Sequence, residues 1–500
     1  MFKKILIANR GEIAVRVIRA CREMGIAPSR STPKPIEPPP HVRLADEAYL
    51  IGPAASAQSY LNVDRLIETA KMTGAEAIHP GYGFLSENPE FALRCEREGL
   101  VFIGPSSQAI RAMGGKTAAR TLATKARVPV VPGTIRDLTD QEVLQAAKEM
   151  GFPVLIKASA GGGGKGMRIV STEADLSGAI RAARSEASSA FGNPAVYVER
   201  YLGGVRHIEM QILADKAGNV VYLGERECSL QRRHQKVIEE SPSPFVDPDL
   251  RRQMGEAAVR LAKAAGYTNA GTLEFLVDSA KNFYFLELNA RLQVEHPVTE
   301  MVTGLDLVKE QIRIAAGEPL SFRQEDIQLR GHAIECRIYA EDPFNNFMPS
   351  PGRIQVLRDP GGPGVRIDSG VYEGGEVPVY YDPLISKIIT WGQDRGEAIQ
   401  RMRRALREYV ILGVKTTIPF HLRTLDNPQI LAGQFHTQYL ESWLAEGLKE
   451  GSGTLAEIAL VAGALYLHTR KVSSPVSVAQ AARSESLWKL AARHEAVRRR

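Results

Sequence analysis

What this sequence has little of narrows it before any motif is read. Its 500 residues include only four cysteines, Cys21, Cys95, Cys228 and Cys336, far apart and without paired spacing. That excludes a disulfide framework and a cysteine-based zinc site, and it suits a reducing cytoplasm. The longest apolar run near the end, Ile458 to Leu467, is about half of the roughly 20 residues that span a bilayer, so no membrane segment is expected. The start, Met1-Phe-Lys-Lys-Ile-Leu-Ile-Ala-Asn9, runs straight into a strand, and no secretory signal fits it. Charge of one sign is also scarce. The net +6 contains +5 from the residues after 450, which hold eight Lys/Arg against three Glu, so the rest is nearly neutral at +1. A nucleic-acid footprint is not supported. G-x-x-x-x-G-K-[ST] does not occur, which removes the Walker loop, and the first strand-to-helix turn, at Gly11, carries no G-x-G-x-x-G, so no dinucleotide fingerprint is read there.

What is present reads as several lobes, since single cores stop growing at about 250–300 residues. The chain opens as a doubly wound α/β domain. Lys3 to Asn9 is an apolar strand, and Glu12 to Glu23 a helix with Ile13, Val17 and Ala20 on one face. The second strand of that domain is expected to be missing. Ala27 to Pro40 carries six prolines, which remove ladder donors. A helix is expected over Ser59 to Thr73, a glycine-hinged loop over Pro80 to Asn88, and one helix carrying Lys116 over Ser106 to Lys125.

Val154 to Val170 is a strand ending in Lys157, the glycine run Gly161 to Gly164, Lys165, and a strand leaving from Met167. Glycines let successive N–H groups approach phosphates, so this stretch reads as a mobile flap over a nucleotide. Ala195 to Leu202 is a strand leading into a turn, of the kind that contacts a purine through its backbone. In His207 to Leu213, His207, Glu209 and Gln211 share one face, which by itself reads as a wet sheet face. Glu225 to Lys236 packs Arg226, Arg232, Arg233, His234 and Lys236 into an anion-attracting set.

The most informative stretch is Thr272 to Glu295. Leu273 to Val277 and Phe283 to Leu288 form a hairpin around Ser279 to Asn282. With a four-residue loop Val277 faces Tyr284, and Glu274 then lies opposite Glu287 with Asn289 on the same face. Two carboxylates about 5 Å apart repel by roughly 3 kcal/mol at an effective dielectric near 20. A divalent cation such as Mg2+ removes that cost, since it favours carboxylates, an amide oxygen, water and phosphates. Arg291, Gln293, Glu295 and His296 follow directly. Arg337 falls on the face of His332 only with a register break, so spacing does not assign it.

Ile7-Ala-Asn-Arg-Gly-Glu-Ile-Ala14, His79-Pro-Gly-Tyr-Gly-Phe-Leu-Ser-Glu-Asn88, the glycine flap, Arg232-Arg-His-Gln-Lys236 and Asn289-Ala-Arg-Leu-Gln-Val-Glu-His296 together resemble the biotin carboxylase component of biotin-dependent carboxylases, within the ATP-grasp superfamily. The likeness runs from Lys3 to about Leu444. It departs over Pro28 to Pro40, where the length is kept and the flanks resume in register, as after a compensated reading-frame disturbance. At Gly115 the family usually has an acid.

The resemblance implies an α/β architecture. A doubly wound, Rossmann-like domain spans 1–112, and an ATP-grasp domain spans 113–330 with a lid at about 131–203. A C-terminal α+β domain spans 331–446, followed by a helical basic appendage at 447–500. It implies ATP-dependent carboxylation of biotin by bicarbonate through carboxyphosphate. Lys116, Lys157, Gly163 and Gly164 would hold ATP phosphates, Glu199, Arg200, Tyr201 and Leu202 adenine, and Gln231 and His234, with His207 nearby, the ribose side. Glu274, Glu287 and Asn289 would hold Mg2+ or Mn2+, with two ions expected. Lys236, Arg291, Gln293 and the Val294 backbone would position bicarbonate, Glu295 would be the base, and Arg337 would stabilise the biotin enolate.

No Met-Lys-Met carrier motif is present, so the expected partners are a biotin carboxyl carrier protein and a carboxyltransferase subunit, with a homodimer as the expected assembly. The final acceptor, acetyl-CoA, propionyl-CoA or pyruvate, is left open. An ATP-grasp ligase joining an amine to a carboxylate would share the flap and the acid pair, but would not need Arg291, Gln293 and Glu295.

Overall fold

The apolar run Lys4–Ile7 forms a strand whose Ile5, Leu6 and Ile7 are fully buried, and the helix Gly11–Glu23 packs Ile13, Val17 and Ala20 behind it. The computed structural model describes residues 1–33, 40–134, 136–159 and 166–447. Met1–Gly447 make one compact unit, and the expected appendage lies outside the described residues.

The first sheet is parallel. Its spatial order is Glu47–Gly52, Ala27–Pro33, Lys4–Ile7, Ala77–His79, Val101–Phe102, a doubly wound arrangement. The second strand is therefore present, against the expectation from its prolines. In a parallel ladder a residue's N–H and C=O point to the same neighbour. The Pro28 carbonyl accepts from the Asp46 N–H at 3.2 Å, so its missing donor points to where the neighbouring strand, starting at Glu47, has not yet begun. Pro33 stands at the strand's last position, at a register shift opposite Gly52. Residues 34–39 lie outside the described residues.

Two expected helices are shorter. One starts at Val63, where the Asn62 side chain accepts from the Arg65 N–H and caps it. The Ser106 to Lys125 helix is two, Ser107–Gly114 and Lys116–Lys125, because Gly115 takes an extended ψ of 119°. Adjacent glycines favour that break.

The second sheet has eight strands, ordered Phe283–Asn289, Asn269–Val277, Arg206–Ala214, Val220–Arg232, Gln235–Ser241, His332–Tyr339, Leu384–Gly392, Val365–Ser369. Its first strands turn Leu273, Phe275, Val277, Phe285 and Leu288 into the same apolar cluster as Leu6, Ile78 and Phe91, which leaves the acids on the opposite face. A separate antiparallel sheet, Met167–Val170, Val154–Ala158, Val196–Arg200, carries the helices Asp140–Met150 and Glu173–Phe191 on its own apolar core. The glycine run at 161–164, with Gly163 and Gly164, lies outside the described residues. All four cysteines are free and buried, and no helix among the described residues is long and apolar enough to cross a membrane.

In the helix Ile418–Asp426, fully buried His421 contacts the Arg337 carbonyl through Nε2 at 2.7 Å. Burial lowers its pKa to about 4, against a smaller opposing contribution from that hydrogen bond. A histidine kept neutral in the fold is protonated more readily when unfolded, so stability falls as pH drops from about 6.5 towards the folded value. Between about pH 7.5 and about pH 5, wild type should lose about 2 kcal/mol more than His421→Gln. Urea unfolding at the two pH values measures this difference.

Candidate functional site

The hairpin Asn269–Val277/Phe283–Asn289 places Glu274 directly opposite Glu287 and Thr272 opposite Asn289. The register arises differently from the sequence expectation. Val277 faces Phe283, not Tyr284, because the loop runs from Asp278 to Asn282, closed by the Asp278 N–H on the Asn282 carbonyl at 3.0 Å. Leu286 is then left as a bulge between Phe285 and Glu287. The two single-residue offsets cancel, and the acids meet.

Glu274 is almost fully buried and accepts from Asn289 Nδ2 at 2.9 Å. Burial pushes its carboxyl up, but Lys236 and His207 together hold it well below the ordinary range. Glu287 is raised by burial and then by Glu274, and no hydrogen-bond donor reaches it among the described residues. An unrelieved acid opposite a carboxylate, with an amide beside it, is a set of hard oxygen donors that fits Mg2+ or Mn2+.

Three strands away, Lys236 projects into the same space. Its Nζ donates to Glu209 at 2.5 Å, Glu274 at 2.9 Å and Glu295 at 2.6 Å. Glu209 also binds the fully buried Arg226, which donates to Gln211 at 2.7 Å, Thr299 at 2.9 Å and Thr272 at 3.0 Å. The His207, Glu209 and Gln211 face is thus buried rather than wet, because neighbouring strands and the helix His296–Thr303 cover it. The expected basic set divides, since the pairing of its two strands shifts register between Glu227 and Gln231. Arg226 and Lys236 turn inward, while Arg232 pairs with Glu341 and Arg233 is exposed. Glu209, Cys228 and Glu295 also approach one another, but Arg226, Lys236 and Arg337 already neutralise the two acids.

Glu295 is fully buried at the head of that helix. Its second oxygen accepts from Arg337 Nη2 at 2.9 Å, so the structure brings Arg337 to the centre, on the face opposite His332, which pairs with Glu240 at 2.7 Å. Burial raises the Glu295 carboxyl, yet Lys236, Arg337 and Arg226 outweigh it and hold Glu295 ionised far below its ordinary range. Arg291 donates to Gln293 at 3.0 Å and to Asn289 at 3.2 Å.

Two groups that the sequence reading missed fix this loop. Glu87 accepts from Arg291 Nε at 2.9 Å and from the Ala290 N–H at 2.8 Å, and fully buried Lys387 donates to the Val294 carbonyl at 2.6 Å. Glu87 stood inside the His79 to Asn88 motif. Lys387 was signalled by a lone ammonium in an apolar strand.

The nucleotide-side residues separate into three groups. Lys116 begins its helix, and burial lowers its pKa while Glu287 opposes that fall and Lys157 adds to it. Lys157 pairs with Glu199, whose other oxygen accepts from Arg120 at 2.9 Å. The Glu199 side chain therefore anchors a lysine and does not face a purine. The N–H groups of Arg200 and Tyr201 are bound to the Pro132 carbonyl at 2.8 Å and the Pro153 carbonyl at 3.2 Å, which leaves Leu202 to offer a backbone donor. His207 Nε2 lies 3.0 Å from Glu274, Gln231 is buried, and His234 is exposed at a tight left-handed turn with φ 64°. A cavity of about 500 Å³ opens beside Arg291, Val294 and Arg337, walled by Tyr82, Gly83 and Tyr381.

Comparison with known proteins covers nearly all of Met1–Gly447. Residues 1–110 match the biotin carboxylase N-terminal domain, 115–323 the ATP-binding domain of the carbamoyl-phosphate synthase L chain, and 335–442 the biotin carboxylase C-terminal domain. The chain is 55% identical over 445 residues to biotin carboxylase 1 of Bacillus subtilis (strain 168), covering 89% of this chain and 99% of that one. It is 56% identical over 441 residues to the biotin carboxylase of a Nostoc species, covering 88% and 99%. Among solved structures, the biotin carboxylase domain dimer of Hydrogenobacter thermophilus 2-oxoglutarate carboxylase, in complex with MgADP, ADP and bicarbonate, superposes with a TM-score of 0.87 at 49% identity, over 90% of this chain and 100% of that one. The biotin carboxylase of Campylobacter jejuni, a β-γ-ATP complex, gives 0.86 at 47% identity, over 88% and 99%.

An acid whose folded pKa is raised costs stability as pH climbs above its unfolded value. Glu287→Gln should therefore unfold at a higher urea concentration than wild type at about pH 8 without divalent cations. Its nucleotide complex should bind Mn2+ at least about tenfold more weakly. Urea titration and Mn2+ binding by electron paramagnetic resonance test the pair of effects together.

Proposed function

The chain belongs to the biotin carboxylase family, and from that membership we propose how its own residues carry out the family's reaction: ATP and bicarbonate give carboxyphosphate, and the carboxyl group passes to biotin on a carrier protein. The convergence of Lys236 and Arg337 on Glu295, beside the Glu274–Glu287 pair, is the observation that carries the reading.

Lys116 and Lys157, with the flap glycines Gly163 and Gly164, hold the ATP phosphates. The turn from Glu199 to Leu202 receives adenine, through the Leu202 N–H in particular, and Gln231, His234 and His207 attend the ribose side. Glu274, Glu287 and Asn289 hold Mg2+ or Mn2+, as two ions, which when bound neutralise charge on the phosphates.

Bicarbonate is an anion, so it competes with Glu295 for the donor Lys236, and Arg291, Gln293 and the Val294 N–H help to hold it. As Lys236 turns to the substrate, Glu295 loses a stabilising cation and becomes a stronger base. It then takes the bicarbonate proton while the oxygen attacks the γ-phosphorus. Burial of this space protects the labile product from water. Arg337, at the rim of the cavity, stabilises the charge that develops on biotin when its ureido nitrogen is deprotonated.

The segments 1–112, 113–330 with the lid at about 131–203, and 331–446 act as the three working parts. A biotin carboxyl carrier protein and a carboxyltransferase subunit complete the cycle, the enzyme works as a homodimer, and its setting is the cytoplasm. ADP formation should require bicarbonate and rise with free biotin; turnover indifferent to biotin would contradict the reading. Glu295→Gln should keep nucleotide affinity while biotin-dependent turnover falls by about 10²–10⁴. Unchanged turnover would remove Glu295 as the base.

A further inference from the structure

The proposed reaction leaves Glu295 with a problem of proton balance. The bicarbonate O–H bond breaks and its proton moves to Glu295, while a new P–O bond forms and the bond to ADP breaks. Carboxyphosphate then releases CO2, the departing phosphate takes the proton from the biotin nitrogen, and the N–C bond forms. The proton on Glu295 is not consumed, so the base has to be reset once per turnover. Glu295 has no exposed surface, and its two oxygens rest on Lys236 and Arg337.

Behind Arg337 stands a second pair of facing acids. Glu239, on Gln235–Ser241, lies directly opposite Glu335, on His332–Tyr339, and both are fully buried. Arg337 Nη2 touches Glu239 Oε1 at 2.5 Å and Glu295 Oε2 at 2.9 Å, so an oxygen of each carboxylate meets the same nitrogen. Glu239 Oε2 and both oxygens of Glu335 have no hydrogen-bond partner among the described residues. Facing carboxylates in a dry sheet are destabilising unless a cation or a shared proton lies between them. The cations nearby are committed: Arg337 to Glu239 and Glu295, Lys236 to three acids, and Lys387 to Glu12 at 3.1 Å and the Val294 carbonyl.

We propose that Glu239 and Glu335 share a proton and form the acceptor pair that takes the proton from Glu295 after each turnover and passes it on. This rests on Glu295 being the base that deprotonates bicarbonate. The transfer breaks the O–H bond on Glu295 and forms one on Glu239; water or buffer entering the cavity lined by Arg337 and Tyr82 then takes the proton from the pair, so charge is conserved and the pair is ready for the next turnover.

The surrounding charges agree with the direction. Burial is the main cause that lifts Glu239 to about 7, with Arg337 and Lys236 opposing and Glu295 adding to the rise. Burial likewise keeps Glu335 protonated, well above the ordinary range, against Lys387 and Arg337 and with Glu239 and Glu295 adding. Glu295 is far more acidic than either, so the proton runs downhill. Tyr82, joined to Glu12 from the first sheet's side, also faces the pair. On the sheet's other face Glu240 is satisfied by His332 and Arg395.

The test is rapid-quench measurement of ADP formation by the full chain with saturating ATP, bicarbonate and free biotin, in Glu239→Gln and Glu335→Gln. Both should form the first ADP per site at the wild-type rate. Their steady rate should then fall at least about tenfold, recovering as pH or the concentration of added imidazole rises, and Glu239→Asp should restore it. Glu295→Gln should instead form no bicarbonate-dependent first ADP; if it does form one at the wild-type rate, the base assignment itself fails. With that assignment intact, Gln variants that cycle at the wild-type rate overturn the relay. So does an equal loss in first and later turnovers, which would confine Glu239 to holding Arg337. Should the Gln variants fail to fold, infrared difference spectra of wild type and Glu239→Asp decide: the protonated-carboxyl band that grows as the first ADP forms should change frequency in Glu239→Asp, and an identical band in both contradicts the proposal.

Discussion

One ammonium group holds this site together. Lys236 binds Glu209, Glu274 and Glu295 at once, and each of those acids belongs to a different part of the machinery. Glu209 is locked to the buried Arg226, Glu274 is half of the opposed acid pair, and Glu295 is the proposed base. Charges removed from water are tolerated only when paired and hydrogen-bonded. The position of Lys236 therefore sets how far the opposed acids can stand from Glu295. In the proposed reaction it also makes Glu295 substrate-responsive, because an incoming anion would compete for the cation that lowers its basicity.

The same economy joins residues before 113 and after 330 to the centre. Glu87, from the loop after the fourth strand of the parallel sheet, holds Arg291 and the Ala290 N–H. Glu12, near the start of the chain, pairs with Lys387, which donates to the Val294 carbonyl. Arg16 binds Glu300 at 2.8 Å and Asp306 at 2.6 Å, and Arg366 binds Glu300 at 2.7 Å. The loop from Asn289 to Glu295 is thus positioned by side chains from outside the hairpin that carries it. This is how catalytic groups on irregular backbone keep the precision of a rigid element.

Much of this was legible in the sequence, and what was not has physical causes. Opposition of Glu274 and Glu287 was readable because strand alternation leaves few choices, although the loop and the bulge each moved the register by one residue in compensating directions. Prolines at 28 and 33 misled because their cost depends on whether a neighbouring carbonyl awaits the missing N–H, and that is a tertiary fact. Alternation in His207 to Gln211 was real, but a sheet covered on both faces does not reveal which face is dry. Glu87, Lys387 and Glu239 stayed hidden because their partners lie 204, 93 and 98 residues away. The folding of the chain, not local pattern, brings them in.

The central claim is that Lys236 and Glu295 are energetically one unit, not two neighbours. A double-mutant cycle by urea denaturation measures that directly, using Lys236→Met, Glu295→Gln and the pair in otherwise identical chains. Leaving either charge alone in the interior should cost more than removing both, with a coupling energy above about 1.5 kcal/mol. Additivity of the two single substitutions to within about 0.5 kcal/mol would contradict the account.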